Sequence, residues 1–297
     1  MTMNRRGFLL RSAAMAGATR LTSRPALAVT PEESRRRFGG YDFGIQSHSL
    51  RNYPLEEAVA IIADDLGLNW IEFSRAHLPL QPRERGGFAG PAVTPERIRE
   101  VRALLARHQI GTRAHGVNEF RGDDDANRKV FELAKLLGVR NLSAAPTPDA
   151  FASVEKLVEE FDIRIAIHNH GPSSGYPTTQ ALADALKSRH PHIGVCLDTG
   201  HSLRSGEDPI EAVSILKGRI FGVHLKDVAE MKEKTESVVL GKGHLDVVAL
   251  FRALKQAELP PDAAMSLEFE GEPDNPLPSI RECLEVASAA ARKAAGA

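Results

Sequence analysis

The sequence predicts a single (β/α)8 barrel, and three observations lead to that prediction. Eight short apolar segments alternate with eight segments of helical periodicity after residue 40. A chain of 297 residues is long enough for one large domain with a well-buried core. Several apolar segments end in His, Asp or Glu, and (β/α)8 barrels carry their chemistry at the carboxyl ends of the strands. We therefore expect one barrel domain over residues 41–297.

The apolar segments have the features of buried parallel strands. Each is a short hydrophobic run between turn residues, without the strict alternation that a half-exposed strand would show. The predicted strands cover residues 43–47, 70–73, 112–117, 139–144, 163–167, 193–197, 220–225 and 264–269.

The segments between the strands carry helix start and stop signals. Pro95 and Glu96 are typical of a first helical turn. Gly67 and Gly138 follow helical segments as stop residues, and Asp246 is placed to cap one. The predicted helices cover residues 55–66, 95–108, 125–137, 149–161, 178–188, 209–216, 246–257 and 278–294.

A doubly wound sheet is the competing arrangement for such alternation. That fold usually places a glycine-rich phosphate-binding turn after its first strand. Residues 46–51 read Gln-Ser-His-Ser-Leu-Arg and contain no such turn, which favours the barrel. Two long loops are also predicted. Residues 75–94 are rich in Pro and Gly, and a loop of that length in a compact domain is usually functional, whereas residues 230–243 are mostly polar.

The first 28 residues have the features of a targeting segment. Arg5 and Arg6 precede a modest apolar stretch, and residues 25–28 read Pro-Ala-Leu-Ala, a small-x-small cleavage pattern. This order resembles a twin-arginine (Tat) signal, with cleavage after Ala28 and export to the periplasm or beyond. A basic, disordered N-terminus is the alternative. Arg11 and Arg20 interrupt the apolar stretch, so we expect no stable membrane insertion after cleavage. Residues 29–40 are expected to be a polar lead-in.

The composition disfavours nucleic acid as a partner. The formal net charge is −1, whereas phosphate binding needs a clustered excess of Lys and Arg. Aromatic residues are only 5% of the chain, which leaves few groups for stacking on bases. The two cysteines, Cys196 and Cys283, are expected to be buried free thiols rather than a disulfide framework.

Four predicted strands end in groups that bind metals. Side-chain alternation places His168, Asp198, His224 and Glu268 on the inner side of consecutive strands. Taken singly, a histidine there is more often a core residue and a carboxylate often caps the next helix. Together, two imidazoles and two carboxylates suit one divalent ion such as Mn²⁺, Zn²⁺, Co²⁺ or Fe²⁺. The sequence therefore predicts a metal site at the barrel mouth.

Four motifs in this order also carry a family resemblance. Residues 198–201 read Asp-Thr-Gly-His, residues 224–227 His-Leu-Lys-Asp, residues 241–246 Gly-Lys-Gly-His-Leu-Asp and residues 266–270 Ser-Leu-Glu-Phe-Glu. Together they resemble the sugar phosphate isomerase/epimerase family, which has the xylose-isomerase-like TIM barrel. The resemblance covers nearly the whole chain after the signal.

The resemblance implies a metal-dependent enzyme that acts on a carbohydrate. In that family the ends of strands five to eight supply Glu, Asp, His and Glu to one metal. Asp198, His224 and Glu268 match this pattern, whereas His168 stands where the family commonly has Glu. A metal-bound imidazole is a poor proton acceptor, so His168 disfavours epimerisation by two glutamates. One base, Glu268 or His170, would then abstract a proton α to a carbonyl.

Other residues near the mouth are assigned secondary roles. Lys226 is a candidate to stabilise an enolate or donate a proton, with a solvated surface lysine as the alternative. His201, His115 and Glu72 are candidates for binding sugar hydroxyls, although Glu72 and His115 could instead pair with each other. His48 is a weaker candidate.

Three classes of function remain open on the sequence. The first is a sugar isomerase or epimerase, with a keto-sugar lyase that uses one base as its variant. The second is a hydrolase of the endonuclease IV type, which the charge balance and the export signal disfavour. The third is a non-catalytic sugar-binding barrel. The resemblance also implies association into a homo-oligomer through the loops.

Overall fold

The computed structural model describes residues 29–81 and 92–296, and it confirms the (β/α)8 barrel. Eight parallel strands close the barrel in chain order, each paired with the barrel strand before it and the one after it, and the last paired with the first. The predicted targeting segment, residues 1–28, and residues 82–91 of the long loop lie outside the described residues. The barrel strands are β1 (Phe43–Gln46), β2 (Trp70–Ser74), β3 (Gly111–Phe120), β4 (Asn141–Pro146), β5 (Arg164–His168), β6 (Ile193–Asp198), β7 (Ile220–Leu225) and β10 (Ala264–Leu267).

Helices surround the barrel, and most begin at the residues that the sequence marks. Thr94, Asp123 and Asp246 each accept a hydrogen bond from a backbone N–H in the first turn of the helix that follows. The helices are α1 (Pro31–Arg37), α2 (Leu55–Ala60), α3 (Pro95–Arg107), α4 (Asp124–Leu137), α5 (Phe151–Phe161), α6 (Thr179–Ala185), α7 (Thr199–Arg204), α8 (Pro209–Ile215), α9 (Val247–Ala257) and α10 (Leu277–Ala295).

Besides shifts of a few residues at other element ends, the structure differs from the predicted elements in four places. The expected polar lead-in, residues 29–40, contains helix α1, which Thr30 and Glu33 close with a capping box. Strand β3 runs three residues further than predicted, to Phe120. Helix α7 follows β6 without a loop, because Asp198 is both the last strand residue and the helix cap. The loop after β7 contains a small antiparallel pair, β8 (Asp227–Val228) with β9 (Ser237–Val238).

The barrel interior is built in layers from alternate strands. At the amino-terminal end Trp70 packs flat on Gly44, where a methyl group would lie 2.4 Å from the indole. Above it, Glu72 of β2 bonds to serines on β4 and β10, and Cys196 of β6 lies beside it. This middle layer consists of Glu72, Ser143, Cys196 and Ser266, and we call it the polar layer. The candidate metal ligands lie above it, toward the carboxyl ends of the strands.

Within residues 29–81 and 92–296, no helix is both long and apolar enough to span a membrane.

Candidate functional site

The structure brings the four predicted metal ligands together. His168, Asp198, His224 and Glu268 each offer one donor atom, and these atoms all lie within 4.8 Å of one another. All four residues are buried at the carboxyl ends of neighbouring strands. The register explains the convergence, because His168 pairs with Cys196, and Asp198 pairs with His224 across the next strand.

The distances between the donor atoms fit one shared ion. Nε2 of His168 lies 3.1 Å from Nδ1 of His224 and 3.6 Å from Oδ2 of Asp198. Nδ1 of His224 lies 3.0 Å from Oε2 of Glu268 and 3.9 Å from Oδ2 of Asp198. Two ligands at about 2.1 Å from a tetrahedral ion lie about 3.4 Å apart, so these spacings match.

Two carboxylate oxygens lack the partners that buried oxygens normally have. Among the described residues, neither Oδ2 of Asp198 nor Oε2 of Glu268 accepts a well-directed hydrogen bond. Nζ of Lys226 lies 3.0 Å from each of them and supplies a charge. A cation between the four donors would complete the coordination of both oxygens, so the residues fit a divalent ion.

Charges around the site keep both carboxylates ionised. Burial acts to raise the pKa of Asp198, but the ammonium group of Lys226 and a hydrogen bond with His168 more than offset it, and the pKa lies well below the ordinary value. Burial likewise opposes ionisation of Glu268, yet Lys226 and His224 lower its pKa. Ionised carboxylates are the form that a metal requires.

Lys226 is the buried cation of this site. Its Nζ contacts Glu270 at 3.1 Å in addition to Asp198 and Glu268. Burial alone would lower the pKa of Lys226, but these three carboxylates raise it above the ordinary value. The predicted alternative of a solvated surface lysine is therefore wrong, because only 1% of the side chain is exposed.

His224 faces carboxylates on both sides of its ring. Nδ1 points to the donor cluster, whereas Nε2 lies 3.0 Å from Oε2 of Glu72 in the polar layer. Burial would lower the pKa of His224, but contacts with Cys196, Glu72 and Glu268 raise it well above the ordinary value.

Two further histidines line the cleft above the donors. The ring of His170 lies 4.4 Å from that of His201 and 5.3 Å from that of His168, measured between ring centroids. Burial lowers the pKa of His201 to about 2. Desolvation and the neighbouring His168 also lower the pKa of His170, which lies at the exposed rim. Both rings are therefore neutral at pH 7 and can accept a proton or a hydroxyl hydrogen bond.

The cleft has a volume of about 1430 Å³ and reaches from the donor cluster toward the loop after β2. His168, Glu268, Lys226, His170 and His201 all line it, as does the weaker candidate His48. A cleft of this size accepts a small molecule with room for bound water.

Two predicted substrate-binding residues do not reach the cleft. His115 is fully buried on β3, and its Nε2 lies 2.6 Å from the carbonyl oxygen of Leu78. Glu72 is also fully buried and pairs with His224 rather than with a substrate or with His115. Both residues lie near the ends of predicted strands, but in the structure Glu72 lies below the mouth of the barrel and His115 lies beside it.

Sequence reasoning missed three contributors to the site. Glu270, which the sequence marks only as the last residue of the motif at 266–270, bridges Lys226 and Arg204, whose Nη1 lies 3.3 Å from Oε2 of Glu270. The side chain of Asn169 holds Asp198 through both backbone groups, at 2.8 and 2.9 Å. Residues 168–170 read His-Asn-His, and an amide between two strand-end histidines is the only local signal for that role.

Asp227 organises the loop that carries residues 241–246. Its Oδ1 accepts N–H donors from Val228, His244 and Leu245 at 2.8 to 3.1 Å. Its Oδ2 accepts from Gly241 and Gly243 at 2.9 and 3.0 Å. Two of the family motifs are thus joined by one buried carboxylate and have a structural role.

The family description "Xylose isomerase-like TIM barrel" matches residues 61–289. A solved structure from Parabacteroides distasonis, titled a putative uncharacterized protein, is 28% identical with a TM-score of 0.62, over 82% of this chain and 97% of that one.

Curated relatives point to enzymes. An inosose dehydratase from Clostridium tetani is 32% identical over 140 residues, which cover 38% of this chain and 47% of that protein. A 3-oxo-isoapionate decarboxylase from Pectobacterium atrosepticum is 26% identical over 188 residues, or 56% of this chain and 65% of that protein. The matches span less than two thirds of either relative.

Proposed function

The chain belongs to the xylose isomerase-like TIM barrel family, and from that premise we propose that it is a divalent-metal-dependent lyase that removes water from a keto-sugar or keto-cyclitol. The observation that carries the proposal is the donor cluster of His168, Asp198, His224 and Glu268, with neutral His170 at the rim and cationic Lys226 beside the two carboxylates. The relatives support the substrate class, because their names describe reactions of polyhydroxylated carbonyl compounds.

The proposed reaction begins with loss of a proton α to the carbonyl. A bound divalent ion would polarise that carbonyl oxygen. His170 is the base, because its imidazole is neutral and opens to the cleft. Lys226 stays cationic and stabilises the negative charge that develops on oxygen. His201 holds a substrate hydroxyl from the side of α7.

Elimination follows on the same face of the substrate. The electron pair of the broken C–H bond forms a C=C bond as the C–O bond to the β-hydroxyl breaks. The proton that His170 has taken leaves with that hydroxyl as water, so one base serves both halves of the step. The use of a single base fits this site, because His168 stands in place of a carboxylate that could move a proton on the opposite face of the substrate.

Isomerisation or epimerisation is the second candidate function. Glu268 favours it, because its carboxylate is ionised and lines the cleft, where it could move a proton instead of His170. The two candidates share the first proton abstraction and differ in what leaves afterwards. The alternative of a non-catalytic sugar-binding barrel predicts binding with no proton abstraction at all.

The first test measures proton exchange and loss of water from the substrate in the presence of metal-loaded protein. Protein loaded with Mn²⁺ or Co²⁺ is incubated in D₂O with a panel of keto-sugars and keto-cyclitols and followed by ¹H NMR and mass spectrometry. We expect exchange of one α-proton and a product lighter by one water. An exchanged product of unchanged composition would favour isomerisation or epimerisation. Binding without exchange for every compound would overturn the enzymatic proposal.

Two variants distinguish the proposed catalytic base from the proposed metal ligands. His170→Gln should lower turnover about 10²- to 10⁴-fold while metal content stays at one equivalent. An Asp198→Ala/His224→Ala double variant should lose both metal and turnover. His190→Gln is the matched control, because this histidine lies at the other side of the barrel against His192. Metal content unchanged in the double variant would contradict the assigned ligands.

The N-terminal segment bears on where in the cell the enzyme acts. We propose that residues 1–28 direct export by the twin-arginine route, so the enzyme would act on carbohydrate outside the cytoplasm. Replacing Arg5 and Arg6 by Lys should retain the protein in the cytoplasmic fraction of the source cell. Unchanged fractionation would contradict export by this route.

A further inference from the structure

We propose that Glu72 is a positioning residue that fixes the orientation of His224, so that Nδ1 and not Nε2 is the metal-binding nitrogen. This inference rests on the proposed metal centre and deepens it. Glu72 lies in the polar layer beneath the donors and does not line the cleft. It therefore acts through His224 and not on a substrate.

The contact between the two side chains is direct. Oε2 of Glu72 lies 3.0 Å from Nε2 of His224, and both side chains are fully buried. The opposite nitrogen, Nδ1, lies 3.0 Å from Oε2 of Glu268 and 3.1 Å from Nε2 of His168. One edge of the ring thus faces the donors and the other edge faces Glu72.

In the described part of the chain, the surroundings of Glu72 provide two hydroxyl donors but no lysine or arginine, so its carboxylate depends on His224 for a further N–H donor. Oγ of Ser143 donates to Oε1 at 2.8 Å, and Oγ of Ser266 donates to Oε2 at 2.5 Å. Within the described ranges, no lysine or arginine lies within 4.0 Å of this carboxylate. A buried carboxylate without a cation is costly, so an N–H from Nε2 is the donor that completes its environment.

A proton held on Nε2 leaves the lone pair on Nδ1. Metal-binding histidines usually donate their other N–H to a carboxylate or carbonyl, which sets both tautomer and ring orientation. Among the described residues, neither Nδ1 of His168 nor Nε2 of His224 has a well-directed hydrogen bond, but only Nε2 of His224 has a carboxylate oxygen 3.0 Å away, that of Glu72. His224 is therefore the imidazole that the polar layer orients.

The test measures metal affinity and the protonated nitrogen, not turnover. In the Zn²⁺-loaded protein with ¹⁵N-labelled histidine, NMR should show His224 protonated on Nε2. Glu72→Gln, which keeps the shape, should weaken Zn²⁺ or Co²⁺ binding about 10- to 100-fold in chelator competition. Ser143→Ala should weaken it less, in the same direction. Glu207→Gln is the control, because that carboxylate accepts from Thr179 away from the donors.

Each of the following outcomes would overturn a specific part of the proposal. Unchanged affinity in a folded Glu72→Gln variant, or a metal on Nε2, would overturn the role of Glu72. If Glu72→Gln does not fold, Ser143→Ala decides the question, and wild-type affinity there would also overturn it. Two bound ions, one of them lost in Cys196→Ala, would make the polar layer a second metal site. No metal binding by the wild-type protein would instead remove the proposed function.

Discussion

A methyl group on Gly200 would lie 2.5 Å from Cγ of Lys226, so the glycine of the Asp-Thr-Gly-His turn provides the space that the lysine stem occupies. The stem has little freedom to move, because Nζ contacts Asp198, Glu268 and Glu270 at the same time. The turn therefore places the metal-site carboxylate and accommodates the cation beside it.

Replacing Gly200 by Ala should displace Lys226. We expect turnover to fall at least about tenfold, since the ammonium group would lose its position near the developing charge. Metal content should stay close to one equivalent. Gly175→Ala is the control, because nothing lies within 4 Å of the added methyl group there. Equal turnover in the two variants would show that the position of Lys226 is not important.

Removing the carboxylate of Asp227 should destabilise the whole domain. Asp227→Ala leaves five backbone N–H donors without their acceptor, including those of Gly241 and His244. We expect the free energy of unfolding to fall by about 3 kcal/mol or more, measured by urea denaturation. Asp208→Ala, which removes a single cap of helix α8, should cost about 1 kcal/mol. Similar losses in both variants would contradict the role given to Asp227.

The metal-free protein should lose stability between pH 6.5 and pH 5. Burial lowers the pKa of His115 to about 4 and that of His201 to about 2, from an ordinary value of 6.5. Below pH 6.5 the unfolded chain binds protons that these folded residues do not, so the free energy of unfolding falls as pH falls. Each histidine contributes about 1.4 kcal/mol per pH unit, or about 4 kcal/mol together at pH 5.

Urea denaturation across this range measures the effect. His224 adds no slope there, because its raised pKa keeps it protonated in the folded state while the unfolded state is also protonated below pH 6.5. His115→Gln should remove the part of the slope that His115 contributes, about 1.4 kcal/mol per pH unit, while other histidines whose pKa burial lowers, among them His170, keep their share. A stability that does not change between pH 6.5 and pH 5 would contradict the two low pKa values.

Both thiols should be unreactive in the folded protein. Cys196 and Cys283 are buried and free, and burial raises the pKa of Cys283 to about 12. At pH 8 we expect almost no reaction with a disulfide reagent until the protein is unfolded, after which two thiols should react. Fast reaction of either thiol with the native protein would show that its surroundings open.

The sequence was sufficient for the parts of the site that depend on local pattern. Asp198, His224 and Glu268 each lie within two residues of the end of an apolar run, and parallel strands in register bring such positions to one end of the barrel. The barrel and the donor cluster follow from that rule alone. The motif at residues 224–227 also contains Asp227, although four of its five backbone donors come from a loop more than ten residues away.

The roles of Glu72, His115 and Glu270 could not be read in the same way. Glu72 lies one layer lower than the donors because barrel strands are staggered, and strand alternation does not report that height. Its partners, Ser143 and Ser266, are distant in sequence and carry no signal of their own. Glu270 depends on Arg204 in helix α7, an element that the sequence pattern did not predict.

The two oxygens of Asp198 serve different parts of the molecule. Oδ2 points to the donor cluster, whereas Oδ1 accepts the backbone N–H of His201 at 2.8 Å and so begins helix α7. An ion bound at Oδ2 also fixes in place the side chain whose other oxygen caps the first turn of this helix. Amide hydrogen exchange in α7 should therefore slow when the site fills, which makes the helix a built-in reporter of occupancy.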